Sequence, residues 1–241
     1  MIFLNTEMTL SIGEEVLSMA KRPVYYIDSY SDVRVKDIEF LWTPGFSISQ
    51  KQKSIKDFHA NISKTFNCSI DKILEISTKS NVKLGVELSA FNLNFKKNGI
   101  FNSVEVFFQS SKIFELGGPY TDLLNFSSRI AKTDKRLRES GELKSFLLFD
   151  QEWPLEPITY FYDWIYINAL YQNKNLEKEL LNYEYFTDIE FNPKRSLNCQ
   201  AHSAALYVSL YKKNLLEKVI NDRDYFSSLL KTKTYIQEKL F

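Results

Sequence analysis

A carboxylate, an amide and an amine recur at helical spacing in residues 102–116. At about 100° of rotation per residue, Glu105, Gln109 and Lys112 fall within about 60° of one another on a helix. Such a row could orient a polar substrate or a water molecule. The alternative is the solvent-facing side of an amphipathic helix, and spacing alone favours that alternative.

Two lysines, Lys51 and Lys53, follow the turn at Thr43-Pro44-Gly45, close to a predicted helix start. The positive end of the backbone dipole favours the neutral form of an amine there, and the neutral amine is the nucleophile. Taken without further information, both lysines are more simply explained as solvent-exposed residues at the beginning of a helix.

Further polar and aromatic candidates lie in the second half of the chain. Gly118 and Tyr120 could place backbone N–H groups and a ring beside a diphosphate and an adenine, or they could belong to an ordinary helix end. Trp153 could stack on a base, although a position in the core is slightly favoured.

Four more residues could contact a sugar or a phosphate. Asp188 could accept hydrogen bonds from ribose hydroxyls, unless it is a helix cap or a surface residue. Asn198, Gln200 and His202 lie at a predicted helix start, where backbone N–H groups suit a phosphate. His202 could otherwise be a partly buried helix residue.

Several kinds of chemistry are poorly supported by the sequence. Besides Cys199 and His202, the chain has only Cys68 and His59, too few closely spaced ligands for a zinc site, so we expect no metal. The glycines do not form a phosphate-binding loop, and we expect no cofactor. A net charge of +1 argues against nucleic-acid binding by bulk charge, but it leaves a local basic patch open.

One such patch is predicted between residues 129 and 144. The stretch 129–138 contains five cations in ten residues. The cations that could contact DNA phosphates are Lys132, Lys135, Arg136 and Lys144. A solvated helix face is the alternative explanation.

Helices and strands must position these residues. The hydrophobic periodicity of the sequence predicts an α+β fold, mainly α-helical, in a single domain with a few short strands. The predicted strands are 33–42, 73–77, 85–95 and 143–149. The predicted helices are 47–62, 102–116, 127–141, 159–183 and 201–220.

The first 18 residues form a predicted N-terminal extension, either disordered or a mis-assigned start, before a domain over 19–241. Met19 is a second plausible first residue of the translated chain. The extension lacks the basic beginning of a secretory signal, and no apolar run approaches the ~20 residues of a membrane span, so we expect a cytoplasmic protein without a membrane partner.

A family resemblance adds to this interpretation. The string Ser103-Val104-Glu105-Val106-Phe107-Phe108-Gln109-Ser110-Ser111-Lys112 resembles the signature helix of the NADAR family, also called YbiA-like. Leu88-Ser89-Ala90-Phe91-Asn92 is similar to another family segment, with Ala90 where asparagine is usual. Asn198-Cys199-Gln200-Ala201 resembles the opening of the last family helix, with Ala201 in place of glycine.

Several longer blocks resemble one branch of that family. They are Trp42-Thr43-Pro44-Gly45-Phe46, residues 49–55, residues 114–122, Glu152-Trp153-Pro154-Leu155-Glu156-Pro157 and residues 188–194. This branch accompanies DarT-type toxins, which attach ADP-ribose to bases in DNA. The resemblance therefore implies a genetically paired DarT-like toxin as partner, and a single YbiA-like domain as the fold.

The resemblance implies an antitoxin-type hydrolase that removes ADP-ribose from guanine bases, as ADP-ribosylated guanosine in DNA or in a nucleotide. It places an essential lysine early in the chain, and we favour Lys53 over Lys51, with Lys112 third. Cleavage of the N-glycosidic bond would then use a lysine Schiff base and the carboxylate of Glu105. The implied substrate-binding residues are Lys51, Ser89, Phe91, Asn92, Gln109, Lys112, Gly118, Tyr120, Trp153, Asp188, Asn198, Gln200 and His202.

Two other functions stay open at this point. Some family members resemble N-glycosidases that act on riboflavin-pathway intermediates, but they are shorter and lack the WTPGF and EWPLEP segments. The departures at Ala90 and Ala201 leave room for a non-catalytic module that binds ADP-ribose or the toxin.

Overall fold

A computed structural model describes residues 10–12, 15–194 and 196–238 of the chain. Helices account for 46% and strands for 22%, which confirms the predicted α+β class in a single domain. Within the described residues, no helix has the length and apolar content of a membrane span.

The strands of the described residues form three sheets. They are β1 (Leu10–Ile12), β2 (Glu15–Ile27), β3 (Val33–Trp42), β4 (Ile73–Glu75), β5 (Asn94–Lys97), β6 (Ile100–Ser103), β7 (Lys112–Phe114), β8 (Leu143–Leu148), β9 (Gln151–Trp153) and β10 (Tyr185–Thr187). The largest sheet has the order β1-β2-β10-β4 with β3 paired to β2, and its β10–β4 pair is parallel. β5 and β6 form a hairpin, and β7, β8 and β9 form an antiparallel sheet.

The helices surround these sheets. They are α1 (Ile48–Phe66), α2 (Lys83–Glu87), α3 (Val104–Ser110), α4 (Ser128–Thr133), α5 (Arg136–Glu139), α6 (Tyr160–Gln172), α7 (Lys174–Leu180), α8 (Gln200–Lys212), α9 (Leu216–Asn221) and α10 (Arg223–Glu238).

The long hairpin of β2 and β3 is the main departure from the predicted strands. β3 has the predicted bounds, whereas β2 was not predicted, and it crosses the expected boundary at Ser18 and Met19 without a break. Pro23 lies between the stretch of β2 paired with β1 and the stretch paired with β10, and among the described strands β3 alone pairs with β2 there. A proline that lacks an N–H is tolerated where one edge of the strand has no neighbour.

Helix α1 confirms the prediction for residues 47–62 and continues to Phe66. Ser47 caps it, since its hydroxyl accepts from the Gln50 N–H while the Gln50 side chain accepts from the Ser47 N–H. The face that carries Phe58 packs on the β2–β3 hairpin in a small core. This core is formed by Val24, Ile38, Phe40, Ile55, Phe58, Ile62, Ile73 and Ile189.

The larger core surrounds α6 and α8, which are buried on nearly all sides. Helix α3 packs against α6. All seven residues of α3 are buried, including Glu105 and Gln109. The solvent-facing alternative for this segment is therefore wrong.

The predicted helix 102–116 is wrong in its length. α3 ends at Ser110, and Lys112 begins strand β7, which pairs with β8. Lys112 therefore does not belong to the helical row. The cause lies in the tertiary structure. The backbone N–H and C=O groups of residues 112–114 pair with β8, and they could not do so if α3 continued through them.

Other predicted elements also differ in detail. The alternating segment 85–95 is mostly helix α2 and turns, and only its last residues enter β5. The basic helix 127–141 is interrupted at Asp134, and the helix 159–183 is interrupted at Asn173. The strand 143–149 is confirmed as β8 and the strand 73–77 as the shorter β4.

Candidate functional site

A cavity of about 960 Å³ lies where the large sheet, α1, α3, α4 and the loop before α8 meet. This volume is at the upper end of the range for small-molecule sites, about 300–1,000 Å³. It is lined by Arg22, Trp42, Lys51, Ser77, Thr78, Lys79, Ser89, Phe91, Glu105, Phe108, Arg129, Lys132, Tyr162, Asp188, Ile189, Glu190, Phe191, Asn192, Ser196, Asn198 and Gln200.

Glu105 lies in the cavity wall, in the first turn of α3. It is only 4% exposed, and its Oε1 accepts a hydrogen bond of 2.8 Å from Gln109 Nε2. Lys132 Nζ lies 3.5 Å from the same oxygen. The Ser103 hydroxyl accepts from the Val106 N–H and caps the helix. The carboxylate is thus fixed in place and faces the cavity.

Lys112 lies close to this carboxylate but does not line the cavity. Burial lowers the pKa of the Lys112 amine to about 8, and the charge of Glu105 opposes that shift. Its Nζ lies 4.7 Å from the centre of the Phe108 ring, which does line the cavity. About a tenth of the amine is therefore neutral at pH 7, far more than for an ordinary lysine.

The two early lysines of α1 point in different directions. Lys51 lines the cavity, with its Nζ 4.1 Å from the centre of the Trp42 ring and 3.6 Å from Glu190 Oε1. Lys53 is exposed and is not among the lining residues. Two helical steps rotate a side chain by about 200°, so only one of the two can face the cavity.

Asp188 and Gln200 form the opposite part of the wall. Asp188 accepts from the Glu190 N–H and from the Gln200 side chain. Gln200 Oε1 also accepts from the Ala90 N–H at 2.8 Å, which joins the start of α8 to the loop carrying Ser89 and Phe91. Burial, with the charge of Glu75 next, raises the pKa of Asp188 well above its ordinary value.

A buried polar chain lies behind Asp188. The Thr187 hydroxyl donates to Glu75 Oε2 at 2.6 Å, and the Ile189 N–H donates to Glu75 Oε1 at 2.8 Å. His59 Nε2 lies 2.9 Å from Thr187 Oγ1. Because the Thr187 hydrogen is engaged with Glu75, His59 is the donor in that contact. The chain fixes the backbone on both sides of Asp188.

The His59 ring makes the free energy of unfolding depend on pH. Burial lowers the pKa of His59 to about 4, below the ~6.5 of an unfolded chain, so its contribution is present above pH ~6.5 and is lost as pH falls towards ~4. We expect His59→Gln to flatten this dependence by on the order of 2 kcal/mol in the free energy of unfolding. Urea unfolding of both proteins between pH 4 and 7.5 measures it, and parallel profiles would contradict it.

The cavity carries more positive than negative side chains. Its cations are Arg22, Lys51, Lys79, Arg129 and Lys132, and its carboxylates are Glu105, Asp188 and Glu190. The Nε of Arg22 is buried without a hydrogen-bond partner among the described residues. Burial lowers the pKa of the Arg22 guanidinium, and Asp188 opposes that shift. This donor and the surplus of cations suit an anionic ligand with several oxygens.

Seven of the predicted site residues meet in this cavity: Lys51, Ser89, Phe91, Glu105, Asp188, Asn198 and Gln200. Two others support its wall from behind. Gln109 binds Glu105, and the Asn92 side chain donates to the Val86 carbonyl that also accepts from the Ser89 hydroxyl.

The structure places the other predicted site residues outside the lining. A side chain at Gly118, whose φ is +93°, would collide with the Lys112 carbonyl, so this glycine serves a close approach of two backbones. The Tyr120 ring lies under the Arg136 guanidinium and its hydroxyl contacts Ser140. Trp153 is fully buried in the larger core.

His202 lines a separate small pocket of about 280 Å³. Its Nδ1 lies 3.4 Å from Asp163 Oδ1, which also accepts a 2.5 Å hydrogen bond from the Ser203 hydroxyl. Helix α8 therefore contributes Gln200 to the cavity and His202 to another surface, since the two side chains are about 200° apart around the helix.

The basic segment contributes less to the cavity than its composition suggests. Arg136 is bound by both Asp122 and Asp134, and Lys144 is paired with Glu142. Lys132 lines the cavity, and Lys135 is exposed outside it. Arg129, which was not among the predicted phosphate contacts, lines the cavity as well.

Several lining residues had no individual signal in the sequence. Arg22 comes from the unpredicted strand β2, and Tyr162 from a helix with no polar stripe. Trp42 stood within the WTPGF block and could have been chosen from it. Ser77, Thr78 and Lys79 follow β4, where only the tertiary fold brings them to the cavity.

The comparisons with known proteins agree with the resemblance of the signature segments. A search of curated proteins found no match. A sequence model of one family, described as DarT1-associated NADAR antitoxin, matches residues 20–239, nearly the whole chain and every lining residue of the cavity. The chain therefore belongs to the family of NADAR antitoxins associated with DarT1 toxins.

Proposed function

We propose that this protein is an N-glycosidase that removes ADP-ribose from guanine bases in DNA and so reverses the modification made by its partner toxin. The observation that supports this most is the meeting of a buried carboxylate, Glu105, and a lysine amine, Lys51, in one cation-rich cavity. These are the groups that cleavage of a carbon–nitrogen bond to an anomeric carbon requires.

The proposed reaction adds one water across the glycosidic bond. The Lys51 amine gives up a proton and attacks the anomeric carbon of the ADP-ribose, while the bond to the guanine nitrogen breaks and that nitrogen takes a proton through Glu105. A second proton then passes from the lysine nitrogen to the ring oxygen as the sugar ring opens, which leaves a lysine Schiff base. Water then attacks the Schiff base carbon and releases free ADP-ribose and the original amine. Lys51 replaces Lys53 as the favoured nucleophile because Lys51 faces the cavity.

The remaining lining residues fit the rest of such a substrate. Arg22, Lys79, Arg129 and Lys132 supply positive charge for a diphosphate. Trp42, Phe91 and Phe108 offer ring faces for a base. The buried carboxyl of Asp188, whose raised pKa favours its neutral form, can exchange hydrogen bonds with ribose hydroxyls.

Incubation of the purified protein with an oligonucleotide that carries one ADP-ribosylated guanosine tests this proposal. We expect release of free ADP-ribose and of an unmodified oligonucleotide, measured by liquid chromatography and mass spectrometry. Tight binding of ADP-ribose without release would instead indicate a binding module. If the protein cleaves riboflavin-pathway intermediates but not the oligonucleotide, its substrates belong to that class of small molecules.

A further inference from the structure

Phe46 is the most exposed large apolar side chain in the part of the chain that the structure describes, at 99%. It lies four residues after Trp42 and five before Lys51, both of which line the cavity. Ile48, two residues further on, is 55% exposed. Hydrophobic stabilisation scales with the apolar surface removed from water, so this exposed side chain contributes little to folding as it stands.

The loop that carries Phe46 is fixed at both ends. The Thr43 N–H donates to the Ser54 hydroxyl at 2.9 Å, and Ser47 and Gln50 form the capping box of α1. Between them, Gly45 has a φ of +126°, and any side chain there would collide with Gln50. The outward position of Phe46 is therefore set by the same turn that starts α1 and directs Lys51 into the cavity.

A guanine within a nucleic-acid strand cannot reach this site while it is stacked. Glu105 is 4% exposed, so the bond to be cleaved must enter the cavity, and the modified nucleotide must leave the base stack. The bases on either side then lose a stacking partner. An exposed aromatic ring on the segment between two lining residues can take the place of the missing base.

We propose that Phe46 stacks on the base adjacent to the modified guanosine, and that the protein thereby favours a polynucleotide strand over an isolated ADP-ribosylated nucleoside. This inference rests on the proposed function. Phe46 lies outside the cavity lining, so it contacts the neighbouring nucleotide and not the reacting one.

The test compares two substrates, an ADP-ribosylated guanosine within an oligonucleotide and the ADP-ribosylated nucleoside alone. We expect Phe46→Ala to lower kcat/KM on the oligonucleotide at least about tenfold, or about 1.4 kcal/mol, since base–aromatic stacking is lost. The kcat/KM on the nucleoside is expected to stay within about twofold. Phe46→Trp should restore activity on the oligonucleotide, because it keeps an exposed ring face at this position.

Tyr30→Ala is the matched control. Tyr30 is 79% exposed in the turn between β2 and β3. Strand β3 extends from this turn to Trp42 at the cavity, and its length of roughly 30 Å separates Tyr30 from the site. This variant should act on both substrates like the unchanged protein. The midpoint of thermal unfolding should stay unchanged in all three variants.

The outcomes separate this inference from the proposed function. Equal activity of Phe46→Ala and the unchanged protein on the oligonucleotide overturns the stacking role, as does an equal loss on both substrates. An unchanged protein that acts on neither substrate overturns the proposed function itself.

Discussion

Lys51→Arg is expected to abolish the covalent intermediate and to lower kcat by at least about 10⁴-fold, because the reaction loses its nucleophile. A guanidinium keeps the positive charge over Trp42 and near Glu190, but it is not deprotonated enough to attack carbon. Borohydride added during turnover should reduce the Schiff base and attach the mass of ADP-ribose to the chain. Fragmentation of the labelled peptide identifies the modified lysine.

Lys53→Arg is the matched control for this prediction. It makes the same change two residues away, on the side of α1 that does not line the cavity. We expect it to retain the adduct and most of the rate. An adduct that persists in Lys51→Arg and disappears in Lys53→Arg would return the role to Lys53. An adduct on Lys112, whose burial favours a neutral amine, would place the chemistry behind Phe108.

Glu105→Gln is expected to lower kcat by about 10²–10⁴-fold, because the amide cannot deliver a proton to the departing guanine nitrogen. Binding of ADP-ribose should persist, since the amide has the same shape and its oxygen can still accept from Gln109. Single-turnover kinetics and calorimetry measure the two effects separately.

The control for Glu105 is a carboxylate outside the cavity. Glu87, paired with Lys83 on the surface of α2, undergoes the same change in Glu87→Gln and should keep the full rate. A Glu105→Gln protein with unchanged kcat would exclude Glu105 as the acid and direct attention to Asp188, the carboxyl of the cavity whose pKa is raised by burial.

The local patterns of the sequence determined a substantial part of this protein. The cap and apolar face of α1, the bounds of β3 and the existence of β8 follow from neighbouring residues, because capping and periodicity act within a few positions. The signature segment also identified the family and brought Glu105 and Gln109 forward, together with Lys112, as one row. The structure shows Glu105 in the cavity wall and Gln109 hydrogen-bonded to it from behind.

Only the tertiary structure decided how the candidate residues are distributed. Helical rotation places Lys51 and Lys53 on different sides of α1, but it does not say which side meets the cavity. Lys112 lies outside the helical row because its segment pairs with β8. Arg22 lines the cavity because it lies in strand β2, which continues through Pro23 and was not predicted. Trp153 is buried in the core, and the Tyr120 ring lies under the Arg136 guanidinium, so neither lines the cavity.

The polar chain behind Asp188 shows the physical reason for this division. His59 and Thr187 are 128 positions apart, and Glu75 and Thr187 are 112 apart. Their types carry no local pattern, because a lone buried carboxyl or imidazole becomes stable only when a distant segment supplies its hydrogen-bond partner. Spacing along the chain specifies helices and strands, whereas the partners of buried polar groups are specified by how those elements pack.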